Sequence, residues 1–243
     1  MRFWDTWVMT RSLLSSALLL MCAVLTSCAP VHMRNVPAGA RDATARLELL
    51  ARMQTLNAEL LASRSATQVL ERWCRAHMLA AVPVIVAQRI KAEPVSPPAD
   101  LMQRLRVADQ RELSYRRVEL RCGDVILSRA DNWYVPARLS DDMNRALAET
   151  DTPFGKVVAP LEPFRQTIAA SLLWSPMASS ITCASQASPD GLAHALPAEL
   201  FQHHAVLYTR EMQPFSEVHE VYQGAALAFP LQHCGVAGAH DRN

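Results

Sequence analysis

The chain has 243 residues, 50% of them hydrophobic, 19% charged and 6% aromatic, with a formal net charge of +1. That composition belongs to a globular chain able to bury a sizeable core, and it excludes a disordered or fibrous one. Near-neutrality excludes nucleic acid as a default partner, because phosphate binding relies on many uncompensated cations. Lys91 and Lys156 are the only lysines, an arginine bias that reads as codon composition rather than function.

Residues 1–27 carry Arg2 and Arg11 ahead of an apolar run, residues 12–24. The run has signal-peptide length and falls short of the roughly 20 residues that cross a bilayer comfortably. It ends in Leu25-Thr26-Ser27-Cys28, which resembles the bacterial lipobox. The resemblance implies that residues 1–27 are removed and that Cys28 is lipidated as the first residue of the mature protein. Ala29 after it, rather than aspartate, implies an outer-membrane-anchored periplasmic lipoprotein that touches the membrane through its lipid only. Met9 offers an alternative start.

Residues 28–41, with Pro30, Pro37 and Gly39, read as a tether, and residues 42–243 as a single domain. Asp42 opens a helix in which Leu49, Met53, Leu56 and Leu60 recur at helical spacing and form a core stripe. Ser65 or Thr67 caps a second helix running through Val69, Leu70, Trp73 and Met78. Residues 82–90 are rich in β-branched side chains and predict a strand, ended by the prolines up to Pro98. Segments 115–122 and 125–130 flank Gly123-Asp124 and predict a tight hairpin.

Residues 141–150 follow as a helix, Thr152-Pro153-Phe154-Gly155 as a turn, and 164–174 as an apolar segment. Residues 175–198 read mostly as loop, and 205–208 with 215–222 as a final hairpin. Helices followed by hairpin-linked strands predict an α+β fold with an antiparallel sheet covered by helices and an N-terminal helical extension.

Once Cys22 leaves with the signal and Cys28 carries lipid, Cys74, Cys122, Cys183 and Cys234 remain. An oxidising compartment favours disulfides among them, with three pairings open. Their wide spacing and the absence of Cys-x-x-Cys give no zinc pattern. His219-Glu220-Val221-Tyr222-Gln223 begins like a zincin motif but lacks its second histidine. His203 and His204 are adjacent, so on a strand they face opposite sides and cannot share an ion. With seven glycines in the chain, phosphate-cradling loops are not expected, and no metal or cofactor is.

In the middle of the chain Ser65-Ala66-Thr67, Val84-Ile85-Val86-Ala87-Gln88-Arg89, Tyr115-Arg116-Arg117-Val118-Glu119-Leu120-Arg121-Cys122, Val135-Pro136, Thr152-Pro153-Phe154-Gly155 and residues 216–222 stand in order. This ordered series resembles chorismate pyruvate-lyase and, more distantly, the effector-binding domains of GntR-like repressors. The resemblance implies a pocket between sheet and helices for a small aromatic or cyclic carboxylic acid, and cofactor-free elimination of pyruvate where the domain is catalytic. It implies that Arg117 clamps the ligand carboxylate and that Glu220 is the acidic residue at the far end, with Glu217 the alternative. Ala66, Phe154 and Gly155 line the pocket on this reading.

Strand alternation groups Glu220 with Val218 and Tyr222, an apolar surround that would suit it to proton donation. The family's arginine shortly before the Val-Pro step is absent, since Ala130-Asp131-Asn132-Trp133-Tyr134 precedes Val135-Pro136. Beside the pocket elements so implied, Cys74 and Cys122 are the first choice of disulfide. A non-catalytic envelope lipoprotein binding a small ligand or a protein partner is the alternative function.

Overall fold

A computed structural model describes residues 38–91, 96–177 and 196–230. The lipobox with Cys28, most of the tether, Cys183 and Cys234 lie outside the described residues.

Helix α1 (Ala38–Ala62) begins ahead of Asp42. Its stripe does what the spacing predicts: Met53, Leu56 and Leu60 are buried, and Leu49 packs against them. Ser65, not Thr67, caps α2 (Ala66–Ala76), its side chain accepting from the Gln68 N–H at 3.3 Å. This satisfies one of the first-turn donors that have no partner within the helix. Helix α2 stops before Met78, which takes a left-handed φ of 51° and lies exposed.

The sheet is formed by β1 (Ile85–Arg89), β2 (Ser114–Cys122), β3 (Val125–Tyr134), β4 (Phe164–Leu172), β5 (Glu199–Tyr208) and β6 (Pro214–Gln223). Its order is β1-β2-β3-β6-β5-β4 and every neighbouring pair is antiparallel, so the fold is α+β as predicted. Gly123 supplies the positive φ (55°) that the two-residue turn between β2 and β3 requires. Strand β3 continues four residues beyond the predicted segment. Asp131 and Asn132, polar residues that read as a strand end, are held in register against Arg117 and Arg116.

Short helices α3 (Leu101–Leu105), α4 (Asp141–Glu149) and α5 (Phe154–Val157) complete the framework. Ser140 caps α4, and Asp141 and Asp142 sit in its first turn, where carboxylates favour the positive end of the helix dipole. Phe154 and Gly155 open α5 rather than remaining a turn.

Two apolar cores form, one on each face of the sheet. On the inner face α1 and α2 pack on Val118, Leu120, Phe201 and Tyr222. On the outer face Leu101 and Leu105 of α3 cover Trp133, Val135 and Val206. A Cys74–Cys122 disulfide, Cα atoms 6.2 Å apart, ties α2 to the end of β2. Among the described residues no helix is long and apolar enough to cross a membrane.

Candidate functional site

The floor of the cavity follows from strand parity. On β2 the buried positions are Arg116, Val118, Leu120 and Cys122. Pairing carries that face across the sheet: Arg116 opposes Asn132, which opposes Val218, and Val118 opposes Ala130, which opposes Glu220. Over this floor stand the start of α2 and the first turn of α5. The cleft they enclose has a cavity volume of about 60 Å³ and is partly open to solvent, with Ala66, Phe154, Gly155, Arg116, Arg165 and Glu220 among its walls.

Gly155 is where the roof closes. A Cβ there would meet Thr67 Oγ1 at 3.0 Å and Ser65 Oγ at 3.3 Å, so glycine lets α5 come this close to the α2 cap without displacing those hydroxyls. Lys156 braces the same junction, its Nζ 3.0 Å from Glu71 Oε1. Phe154 presents its ring 5.6 Å from that of Tyr134 and 6.3 Å from that of Phe215. Three wall residues expected from the sequence, Ala66, Phe154 and Gly155, thus meet Glu220 in one cavity.

Arg117 does not join them. It lies on the outer face, where Nε and Nη2 bond Asp131 at 2.7 and 2.9 Å, and this pairing raises its pKa further. Residues one apart on a strand point to opposite faces, so the residue facing the cavity is its neighbour Arg116. Parity was the available signal: Arg116, not Arg117, is in phase with the apolar Val118 and Leu120. Glu217 is likewise on the outer face. Arg104 grips it at 2.6 and 2.7 Å and His204 bonds it at 2.6 Å; burial would push its pKa up, but these bonds outweigh burial and hold it low. Of the two glutamates only Glu220 reaches the cavity.

Arg116 is 5% exposed. Its Nη2 donates to the Thr152 carbonyl at 3.3 Å, whereas Nε and Nη1 are buried without a hydrogen-bond partner among the described residues. Burial, aided by the charge of Arg89, lowers its pKa, but a guanidinium remains a cation in a protein. The cavity therefore holds a desolvated positive charge with two donors unmet.

The surround of Glu220 departs from the apolar one expected. Val218 and Tyr222 do share its face, but the Tyr222 hydroxyl donates to Oε2 at 3.0 Å and Arg165 Nη2 donates to the same oxygen at 2.5 Å. Burial works against the Arg165 charge, and Glu220 more than offsets it, raising the Arg165 pKa. Tyr222, wholly buried beside this carboxylate, has its pKa raised well above 10. Arg165 was not legible in the sequence: β4 is an edge strand, exposed along most of its length and broken by a bulge between Thr167 and Ala169, so no alternation marks its inward position.

Behind Glu220, His203 is 1% exposed and donates Nε2–H to Asn57 Oδ1 at 2.8 Å. Burial, with Arg165 adding to it and Glu220 opposing, lowers its pKa from 6.5 to about 4. It is a neutral residue that supports the floor and does not line the cavity.

No family model matches the chain. PhnF from Mycobacterium smegmatis shares 12% identity, with a TM-score of 0.41, over 72% of this chain and 70% of that one. A GntR-family transcriptional regulator from Enterococcus faecalis V583 shares 13% identity, with a TM-score of 0.35, over 60% of this chain and 99% of that one. In sequence, the uncharacterized protein y4mC of Sinorhizobium fredii (strain NBRC 101917 / NGR234) is 42% identical over 187 residues, 76% of this chain and 79% of that protein. The chain belongs to the same family as y4mC of Sinorhizobium fredii.

Proposed function

We propose that the cavity binds a small aromatic or cyclic carboxylic acid, with Arg116 clamping the carboxylate and Glu220 receiving a hydrogen-bond donor at the other end. The observation that carries this reading is the buried Arg116 guanidinium with Nε and Nη1 unmet. A carboxylate set against the Nε/Nη2 or the Nη1/Nη2 edge would meet one of these donors in a bidentate pair, with the Nη2 hydrogen not used by Thr152. Arg116 and Glu220 stand on strands two apart and line the same cavity, so one ligand can reach both. The chorismate-lyase-like order of motifs supports the same ligand class, with the clamp moved from Arg117 to Arg116.

Binding fits better than elimination. Glu220 accepts from Arg165 and Tyr222, an arrangement that suits an acceptor and not a proton donor. A thermal-shift series with 4-hydroxybenzoate and related aromatic acids tests the reading, since a ligand bound to the native state raises the melting temperature by mass action. Arg116→Ala should weaken binding by about tenfold or more, the loss of one charge-assisted contact, while Arg117→Ala keeps it. No stabilisation by any acid, or equal loss in both variants, would overturn the assignment. Release of 4-hydroxybenzoate from chorismate by the wild type would restore the eliminase reading.

We propose in addition that this domain sits in the periplasm on a lipid anchor at Cys28. The lipobox supports it, as does the Cys74–Cys122 bond, because disulfides persist in oxidising compartments. Cys28→Ala should stop globomycin-sensitive processing and membrane partitioning, and unchanged processing would sink the idea.

A further inference from the structure

The adjacency that keeps His203 and His204 apart brings His204 to a different partner. His204 on β5 and His219 on β6 are register partners across the outer face, their ring centroids 5.7 Å apart. His204 contacts Glu217 Oε1 through Nε2 at 2.6 Å, and His219 contacts Gln202 Oε1 through Nε2 at 3.0 Å. With an oxygen acceptor at each Nε2, the proton resides there and the lone pair is left on Nδ1. Among the described residues His203 Nδ1 is the only histidine nitrogen both buried and unpartnered, so neither Nδ1 of the half-buried His204 and His219 is sealed in the core without a partner.

We infer that His204 and His219 form a two-imidazole anchor for a divalent transition-metal ion of the zinc(II) or copper(II) class, bound through the two Nδ1 atoms with water completing its coordination. Imidazole nitrogens suit these ions. Two rings bonded through Nδ1 to one tetrahedral ion at about 2.0–2.1 Å place their centroids roughly 5–6 Å apart, which brackets the observed separation. The outer partners are of the kind that metal-binding histidines use, a carboxylate or carbonyl oxygen on the second ring nitrogen that fixes tautomer and ring orientation. Glu217 is itself immobilised by two bonds from Arg104, and Gln202 is held by Ser171 at 3.0 Å.

The charged groups around the pair are balanced. Asp131, the register partner of His219, is neutralised by Arg117, and Glu217 by Arg104. On its other side His204 faces Ala169, whose small side chain leaves room for an ion. Among the described residues no three metal-ligating side chains converge, so the described residues supply two ligands. The anchor lies on the face opposite the cavity and is independent of the ligand proposed there.

Titration calorimetry of the full chain with zinc(II) chloride tests the anchor. The wild type should bind one equivalent that is lost below the imidazole pKa range. His204→Gln and His219→Gln should each weaken binding by at least about tenfold, as large as the losses that outer partners alone produce, while His77→Gln binds as the wild type. A nitrogen-15 imidazole spectrum of the wild type, which needs no variant to fold, should show zinc shifting Nδ1 of both residues. Absence of zinc binding, wild-type affinity in both glutamine variants, or unmoved Nδ1 resonances would overturn the inference.

Discussion

Arg165 Nη2 lies 2.5 Å from Glu220 Oε2 at the cavity wall, the two side chains 5% and 6% exposed. Removing one partner of such a pair strands the other in a low-dielectric site. Glu220→Ala should therefore destabilise the protein by about 3–5 kcal/mol, whereas the double replacement Arg165→Met with Glu220→Leu should recover most of that loss. Denaturant unfolding of the two singles and the double, arranged as a mutant cycle, measures the coupling; additive losses would show that the pair does not interact.

Arg116 makes the opposite prediction, because it is buried with no carboxylate bonded to it. Arg116→Met should raise the melting temperature of the ligand-free protein, by the equivalent of about 1 kcal/mol or more, while removing acid binding. A functional site held at a cost in stability gives that combination. A lower melting temperature in the methionine variant would mean that Arg116 is a structural residue.

The bond between Cys74 and Cys122 should contribute about 2–4 kcal/mol. Mass spectrometry of unreduced protein should recover the two cysteine peptides linked, and Cys74→Ala with Cys122→Ala should unfold at correspondingly lower denaturant. Free thiols at both positions in protein drawn from an oxidising compartment would remove the pairing.

His203 sets an acid limit on stability. Its pKa falls from 6.5 in the unfolded chain to about 4 in the fold, so the unfolded state binds more protons between those values and stability declines as pH drops through that window. The full loss is about 3 kcal/mol, reached near pH 4 and absent above pH 7. His203→Gln should flatten the profile between pH 6.5 and 4. An unchanged slope would assign the acid sensitivity to carboxylates.

Much of the fold could be read from periodicity. The α1 stripe and the hairpin around Gly123 follow from spacing and from one glycine with a positive φ. The candidate site was legible wherever parity was followed, as in grouping Glu220 with Val218 and Tyr222. It was misread where the motif resemblance took precedence over parity, at Arg117. What stayed hidden depends on pairing distant in sequence. Arg165 reaches Glu220 only because β4 joins the sheet beside β5, and His204 meets His219 only through the β5–β6 register. Local pattern carries no signal for which strands become neighbours.

The union of β3 with β6 also governs how this chain must be made. Asn132 and Ser216, hydrogen-bonded at 2.5 Å, are 84 positions apart. While synthesis proceeds, the hairpin of β2 and β3 can form early, but its free edge waits for a strand near the end of the described chain. During that interval an unpaired edge invites pairing with other chains. The cavity floor is completed only when β6 docks, so a chain cut short before Pro214 would display an open edge and no Glu220. Quality control that recognises exposed strand edges would thereby distinguish unfinished molecules from those able to hold a ligand.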